Sequence, residues 1–429
     1  MRLGGRVAGA IEVLADIEAR KRPVADALKD WGLAHRFAGS GDRAAIGNIV
    51  YDALRMRLSH AWVMDDDSPT ALAYAVLIRQ WGFSPEALSA EFADDRFAPP
   101  PLSDEQAAAL AMRDIEDAPL HVQADIPEWV QPSFETNFGE DWLAEAKALA
   151  ARPTLDLRAN TLKSTRDKVV KALERAGAKA SPLARNGIRI AAGEGASRLP
   201  NVTAELSFQK GWFEVQDEGS QIVADLVDPG EHDQVLDYCA GGGGKTLAMA
   251  AAMHNKGQIH AFDTDRKRLA PIIERLRRAG TRNVQVHDDP RQLETFRDKL
   301  DAVMVDAPCT GTGTWRRRPD TKWRLTGKNL EERLAQQQQA LGEAAAFVKP
   351  GGALVYVTCS ILPEENDQQA KRFCEEHPHF SIASVSDRWD RLLGKDAARP
   401  RISESGTVTL TPASTDTDGF FLCRLQRQS

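Results

Sequence analysis

The sequence predicts an α/β protein whose main body, residues 217–429, is a Rossmann-like, doubly wound and mostly parallel sheet. A small α+β subdomain and an all-α N-terminal domain precede it. Three observations predict this. After Asp217, short apolar runs alternate strictly with segments of helical period, the pattern of strands joined by crossover helices. A glycine-rich loop, CAGGGGKT at 239–246, sits between one such strand and its helix. Residues 1–97 show helical periods and no strand pattern.

The elements follow in order. Val7, Ile11, Leu14 and Ile17 recur at helical spacing over 5–20. Pro23 can open a second helix through Leu33, because its missing N–H is no loss at a first helical position. Ile46, Ile49, Val50 and Leu54 repeat the period over 43–57. Residues 70–82 are apolar nearly all round, so that helix should be central. Ser84-Pro85 opens a short helix, and APPPLS at 98–103 closes a domain taken as 1–102. Ser103 with Gln106 reads as a capping box. The basic residues Arg20, Lys21, Arg22, Arg43, Arg55 and Arg57 offer either a surface for RNA or a plain solvated face.

Residues 103–126 read as an acidic connector. Over 127–216 the expected elements are a helix at 140–151, a strand at 155–160 and a helix capped by Ser164, then short strands near 187–191, 205–208 and 212–215. Arg158, Asn160 and Lys163 fall at a strand end, where they either meet a phosphate or serve turn chemistry. In the main body the strands are expected at 235–238, 258–263, 283–287, 302–306 and 352–358. Helices follow each, including one over ILPEENDQQAKRFCEE at 361–376, and two short strands follow that, one at 420–425.

At 429 residues the chain is too long for one ordinary domain. It has no apolar run near the roughly 20 residues of a membrane helix and no signal-peptide core, so no membrane partner is expected. Five cysteines, odd in number and scattered without a CxxC, do not form a disulfide framework or a zinc site. A reduced cytoplasm is the expected compartment, a monomer the expected state, and no metal the expected cofactor balance. The net charge of −7 hides an uneven distribution: residues 61–150 carry 18 acids and 4 bases, so the rest of the chain sums to +7. That leaves basic faces free for a nucleic acid, or merely for solvent.

The loop at 239–246 lets backbone pass close to a ligand that then meets free N–H groups at a helix start. Two ligand classes compete. A P-loop needs a glycine six positions before the lysine, and here that position is Cys239; Gly244-Lys245-Thr246 is half of one, with Asp306 placed like a metal-binding acid. An adenosine-bearing cofactor instead calls for an acid ending the next strand to hold ribose hydroxyls. Asp263 ends it, and Asp288 or Asp289 after the third strand could face an adenine. The acids favour the adenosine reading.

Cys309 follows the fourth strand and Cys359 the fifth, so two thiols and Asp306 are expected at one edge of adjacent strands. Cys374 and Cys423 read as inert core residues. The loop after Cys359 is polar, so its thiol is expected to be accessible. An acid, a thiol and an adenosine-bearing methyl donor suit methylation of cytosine at carbon 5. A thiolate added at carbon 6 makes a nucleophilic enamine, and a carboxyl group donating to nitrogen 3 assists the addition. The cluster Arg316–Arg318, Lys322 and Arg324 is expected to help ionise the thiol and hold phosphates, with Trp315 and Trp323 as stacking or packing groups. The chemistry alone does not rank the two thiols.

DAPCTGTG (306–313), RRPDTKW (317–323), CAGGGGKT, VQDEGSQ (215–221), AFDTDRKRL (261–269) and YVTCSILPEEN (356–366) together resemble the NOL1/NOP2/Sun family of RNA cytosine-5 methyltransferases. The N-terminal GDRAAIGNIVYDALRMR resembles the NusB-like helical domain of its bacterial small-subunit rRNA members. The resemblance implies the S-adenosylmethionine-dependent methyltransferase fold, S-adenosyl-L-methionine as methyl donor and 16S rRNA as substrate, with tRNA or a non-catalytic assembly role as alternatives. DNA is not implied. The resemblance also implies Cys359 as nucleophile, Cys309 in product release and Asp306 on the base and beside the donor. Asp263 would hold the ribose, with Arg268 beside it, and Cys239, Ala240, Gly241, Gly242, Gly243, Gly244 and Lys245 would surround the methionine end. The family usually has Ala-Pro where this chain has Gly241-Gly242, so a more flexible loop is expected.

Overall fold

The computed structural model describes residues 1–429. Its contacts divide into two compact units, one of them Met1–Pro153 with Ala192–Leu199 and Thr314–Leu325, the other the remaining residues.

The first unit is helical. Helices Leu3–Arg20, Val24–Ala34 and Ser40–Arg55 bury the apolar stripe read from the sequence, including Val7, Leu14, Ile46, Ile49 and Val50. The all-round apolar stretch is central, as expected: every residue from Ala71 to Leu77 is buried. Ser103 and Gln106 form the expected capping box at Asp104–Met112.

Segment Thr314–Leu325 packs in this unit, which changes the reading of its side chains. Trp315 is 1% exposed and stacks on Phe134, ring centroids 6.1 Å apart. Lys322 is buried and donates to the Arg55 carbonyl at 2.9 Å; Trp323 donates to the Leu54 carbonyl at 2.6 Å. Arg55 in turn donates to the Arg316 carbonyl at 2.7 Å. The two tryptophans, Lys322 and Arg55 therefore anchor this segment: the tryptophans take the packing alternative, and Lys322 is turned inward, against the expectation of phosphate contact. A buried ammonium must find an acceptor, and here it is the Arg55 carbonyl.

The second unit holds two sheets. In the smaller, β1 (Leu155–Ala159), β2 (Lys179–Ala180), β3 (Gly187–Ile190) and β4 (Phe213–Val215) run in the order β2-β3-β1-β4. The larger contains β5 (Gln234–Asp237), β6 (Gln258–Phe262), β7 (Val284–His287), β8 (Leu300–Asp306), β9 (Val348–Thr358), β10 (Phe380–Ala383), β11 (Arg401–Ile402), β12 (Val408–Leu410) and β13 (Phe420–Arg427). Its order is β11-β12-β13-β9-β8-β5-β6-β7, with β10 on β13. β5 to β9 pair in parallel and β13 closes antiparallel on β9, the doubly wound sheet expected. Strands β8 and β9 are neighbours, with Asp306 opposite Val357, so both thiol loops leave one sheet edge.

Several elements differ from expectation. Residues 205–208 do not form a strand: Leu206 is 68% exposed, so the alternation marks no buried face, and Leu206–Gln209 makes one helical turn. Thr165, not Ser164, caps the helix Arg166–Ala172. Pro271 splits the helix after β6 into Arg266–Leu269 and Ile272–Ala279, since proline lacks the N–H that would continue it. The helix after β9 starts only at Asp367, leaving 361–366 in turns. The C-terminal part holds four strands rather than two.

Candidate active site

The glycine loop leaves β5 at Asp237 and enters the helix Gly244–Ala252 through Gly243, whose φ is +78°. A Cβ on Gly243 would stand 2.4 Å from Ile272 Cγ1, so the position is restricted to glycine by both conformation and space. The loop is tied down. Gly241 N–H donates to Asp263 Oδ2 at 2.9 Å, and Arg275 donates to the Gly242 carbonyl at 2.5 Å. Arg275 is itself held by the buried carboxylate of Glu214 at 3.0 Å. These bonds fix the loop backbone at Gly241 and Gly242, where the family usually has Ala-Pro.

Asp263 follows β6, is 4% exposed and also accepts from Asp265 N–H at 2.8 Å, with Arg268 at 3.9 Å. A cleft of about 320 Å³ opens over it, lined by Tyr238, Cys239, Phe262, Arg268 and Pro308. A neighbouring cleft of about 550 Å³ shares Tyr238 and Phe262 and adds Pro290 and Leu293. The far wall of both belongs to the helix Gly327–Ala345, through Gln339 and Glu343. Sequence reading missed that wall, since glutamines on an amphipathic helix read as solvated. Tyr238 donates to Glu343 at 2.6 Å, which fixes one edge. Neither Asp288 nor Asp289 lines either cleft: Asp288 pairs with Arg266 at 3.0 Å, and Asp289 caps the turn at Pro290 and pairs with Arg291 at 2.5 Å. Ala240 packs against the core on the Leu247 side of the sheet.

Lys245 donates to Asp306 Oδ2 at 2.7 Å. Burial works against its ammonium, but Asp306 and the Cys359 sulfur more than offset that, and its pKa lies above the ordinary lysine value. Thr246 Oγ1, the hydroxyl a P-loop presents to a metal ion, is fully buried and donates to Asp237 Oδ2 at 2.6 Å. Burial raises the Asp237 carboxyl to about 7.

The two thiols meet: Cys309 Sγ and Cys359 Sγ are 3.3 Å apart. Both are part-buried, Cys359 less openly placed than its polar loop implied. The hydrogen bond to Cys359, with burial, pushes the Cys309 thiol well above its ordinary value, so Cys309 keeps its proton beside its partner. The geometry brings both thiols to one point, with the Lys245 ammonium near Cys359. The loops are laced together by Gly313 N–H to the Cys359 carbonyl at 3.0 Å and Thr312 Oγ1 to Ser360 Oγ at 2.9 Å. Cys374 and Cys423 face the core, and burial raises both thiols. Arg158 and Asn160 are buried and serve the chain's own polar groups, and the exposed Lys163 also bonds to main chain. Arg158 donates to Gln216 at 2.7 Å, Asn160 to the Gly211 and Ala279 carbonyls at 2.8 Å, and Lys163 to the Arg278 carbonyl at 2.7 Å.

Comparison with known proteins places this geometry. The family described as 16S rRNA methyltransferase RsmB/F matches residues 224–426, and the ferredoxin-like domain of RsmF/B-like methyltransferases matches 126–194. A relative from Synechocystis, named probable ribosomal RNA small subunit methyltransferase B, is 32% identical over 324 residues, covering 73% of this chain and 69% of the relative. The chain belongs to the RsmB/F family of 16S rRNA methyltransferases. A further RsmB/F relative, ribosomal RNA small subunit methyltransferase B of Yersinia pseudotuberculosis, is 34% identical over 304 residues, covering 70% of this chain and 66% of the relative. Among solved structures, PH0851 superposes with a TM-score of 0.74 at 22% identity, covering 100% of this chain and 99% of that one. A methyltransferase homologue from Pyrococcus horikoshii gives 0.59 at 26% identity, over 72% of this chain and 97% of that one. These likenesses place the RsmB/F chain in a methyltransferase fold. No helix of the chain is long and apolar enough to cross a membrane.

Proposed function

We propose that this chain methylates carbon 5 of a cytosine in 16S rRNA, using S-adenosyl-L-methionine and a covalent bond from Cys359 to carbon 6 of the base. The observation that carries the reading is the pair of thiols 3.3 Å apart at the ends of adjacent parallel strands, beside the Lys245–Asp306 bridge.

The cofactor fits the residues present. The glycine-restricted turn at Gly243 and the free N–H groups of the following helix suit the methionine end, with Lys245 beside it. Asp263 stands where a ribose would be held, and the Phe262, Pro290 and Leu293 side of the cleft suits a flat base. When bound, the cofactor supplies an electrophilic methyl group. Cys359 adds to carbon 6 as a thiolate. When the cytosine binds, the Lys245 ammonium passes a proton to Asp306, which as the carboxylic acid donates it at nitrogen 3, and carbon 5 becomes nucleophilic. In the release step a base takes the proton from carbon 5. The electrons of that bond form the 5,6 double bond and expel Cys359 as a thiolate, and nitrogen 3 returns its proton to Asp306. Cys309, after giving up its own proton, stands 3.3 Å from Cys359 to serve as that base. The target cytosine must leave any stack to reach the two thiols.

The enzyme works in this proposal without a metal ion, as a monomer, in the cytoplasm and on RNA rather than DNA. Thr246, already donating to Asp237, weighs against an NTPase. Calorimetry with S-adenosyl-L-methionine in excess EDTA, set against ATP with magnesium, tests the cofactor. Methyl transfer to 16S rRNA and to tRNA transcripts tests the substrate. Binding of ATP alone sinks the proposal; transfer to tRNA alone keeps the chemistry and removes the 16S target. If Cys359→Ala keeps the protein's role in cells, the assembly-factor reading replaces catalysis.

A further inference from the structure

Glu365 lies six residues after Cys359 and is fully buried, an expensive place for a carboxylate unless every oxygen is met. Its Oε1 accepts from Thr310 N–H at 2.8 Å and from Gln337 Nε2 at 2.8 Å; its Oε2 accepts from Thr310 Oγ1. Gln337 also donates to the Pro308 carbonyl at 3.0 Å and is held from behind by Gln369 at 3.2 Å. The carboxylate thus grips the chain directly after Cys309 and, through one glutamine, directly before it. Its own main chain is fixed as well, since Tyr356 OH donates to the Glu365 carbonyl at 2.5 Å.

Glu365 itself does not line the cleft over Asp263; its network touches that cleft only through Pro308. The bonds from Glu365 to Thr310, and from Gln337 to Pro308, converge on one segment, Pro308–Thr310, whose Thr310 lies 55 residues before Glu365 in sequence. A helical amide or an apolar pair would have packed that loop at less cost, because a buried charge stabilises only when its partners are exact in place. We propose that Glu365 is a positioning residue that sets Cys309 against Cys359 and so governs release of the methylated base. This rests on the covalent reading given above.

The test uses the full chain with tritiated S-adenosyl-L-methionine and a 16S rRNA transcript. It compares wild type, Cys309→Ala, Glu365→Ala and Glu365→Gln. Readouts are single-turnover methyl transfer, multiple-turnover rate, the RNA–protein band that survives denaturation, and cofactor affinity. Glu365→Ala should behave as a weaker Cys309→Ala. Its band accumulates and its multiple-turnover rate falls about tenfold to a hundredfold, the range a displacement near 1 Å produces. Single-turnover transfer and cofactor affinity should change less than about threefold, well under the 1.4 kcal/mol of a tenfold effect. Glu365→Gln keeps an acceptor for Thr310 N–H, and its amide can donate to the Thr310 hydroxyl; it should recover most of the turnover. A folded Glu365→Ala that turns over normally with no band overturns the proposal. So does one that loses single-turnover transfer, because the residue would then act on Cys359. If Glu365→Ala does not fold, Gln337→Ala is read in the same way, with the same outcomes deciding. If Cys309→Ala itself traps no band, the covalent reading falls and takes this proposal with it, a failure distinct from a normal Glu365→Ala beside a trapped Cys309→Ala.

Discussion

Replacing Asp237 with asparagine should flatten the pH dependence of the second unit's stability. Asp237 ends β5 at 1% exposure; one oxygen accepts from Thr246 and the other has no partner. Burial raises the carboxyl to about 7 in the folded protein, against about 3.9 in an unfolded chain. Between those values the folded state holds a proton that the unfolded chain has released. Stability therefore falls as pH rises through that window and is level above it. Each pH unit is worth about 1.4 kcal/mol, so from pH 5 to pH 8 this one group removes about 3 kcal/mol. At about 2–4 °C per kcal/mol for a unit of this size, that is roughly 5–10 °C in Tm. Calorimetric melts of wild type and Asp237→Asn at pH 5, 6, 7 and 8 give the difference curve, in which the other titrating groups cancel. The difference should grow steadily to pH 7 and then stop. Parallel curves would refute the reasoning, and a difference that grows toward acid pH would reverse its sign.

Other outcomes follow from single contacts. Gly243→Ala meets Ile272 at 2.4 Å in a left-handed conformation; it should weaken S-adenosyl-L-methionine binding at least about tenfold, or 1.4 kcal/mol by calorimetry, while unchanged affinity would remove the loop from the cofactor site. Trp315→Ala should cost about 3–5 kcal/mol in denaturant melts, with the salt slope of RNA binding unchanged; a changed slope at normal stability would restore the surface role. With the thiols 3.3 Å apart, hydrogen peroxide should convert both to one disulfide with release of two waters. Mass spectrometry should show the loss of two hydrogens, reversible by dithiothreitol and absent in Cys309→Ser; a stable sulfinic acid at Cys359 instead would mean that Cys309 does not reach it.

The parallel sheet was legible because β5, β6, β8 and β9 are bounded apolar runs, each ended by a polar residue and followed by a helical period. The same punctuation placed Asp263, Asp306, Cys309 and Cys359 at strand ends, where such sheets bind ligands. What failed to show was mostly long-range. Lys322 reads as a phosphate contact, and Trp315 as either a stacking or a packing group, because nothing in their local pattern says that Arg55 and Phe134 bury them. Glu365 looked like one acid in a turn, although its partners lie 55 and 28 residues away. Asp288 and Asp289 sat at the right spacing for an adenine contact, but local pairs with Arg266 and Arg291 turn them elsewhere. β11 and β12, two and three residues long, are too short to carry a period and exist through pairing with their neighbours.

The most direct test of the central claim mixes purified protein with tritiated S-adenosyl-L-methionine and a 16S rRNA transcript, for wild type, Cys359→Ala and Cys309→Ala. Methyl transfer and the denaturation-resistant RNA–protein band are read together. The account predicts that Cys359→Ala abolishes both transfer and band, and that Cys309→Ala accumulates the band. Transfer that survives in Cys359→Ala would contradict it and move the nucleophile to Cys309.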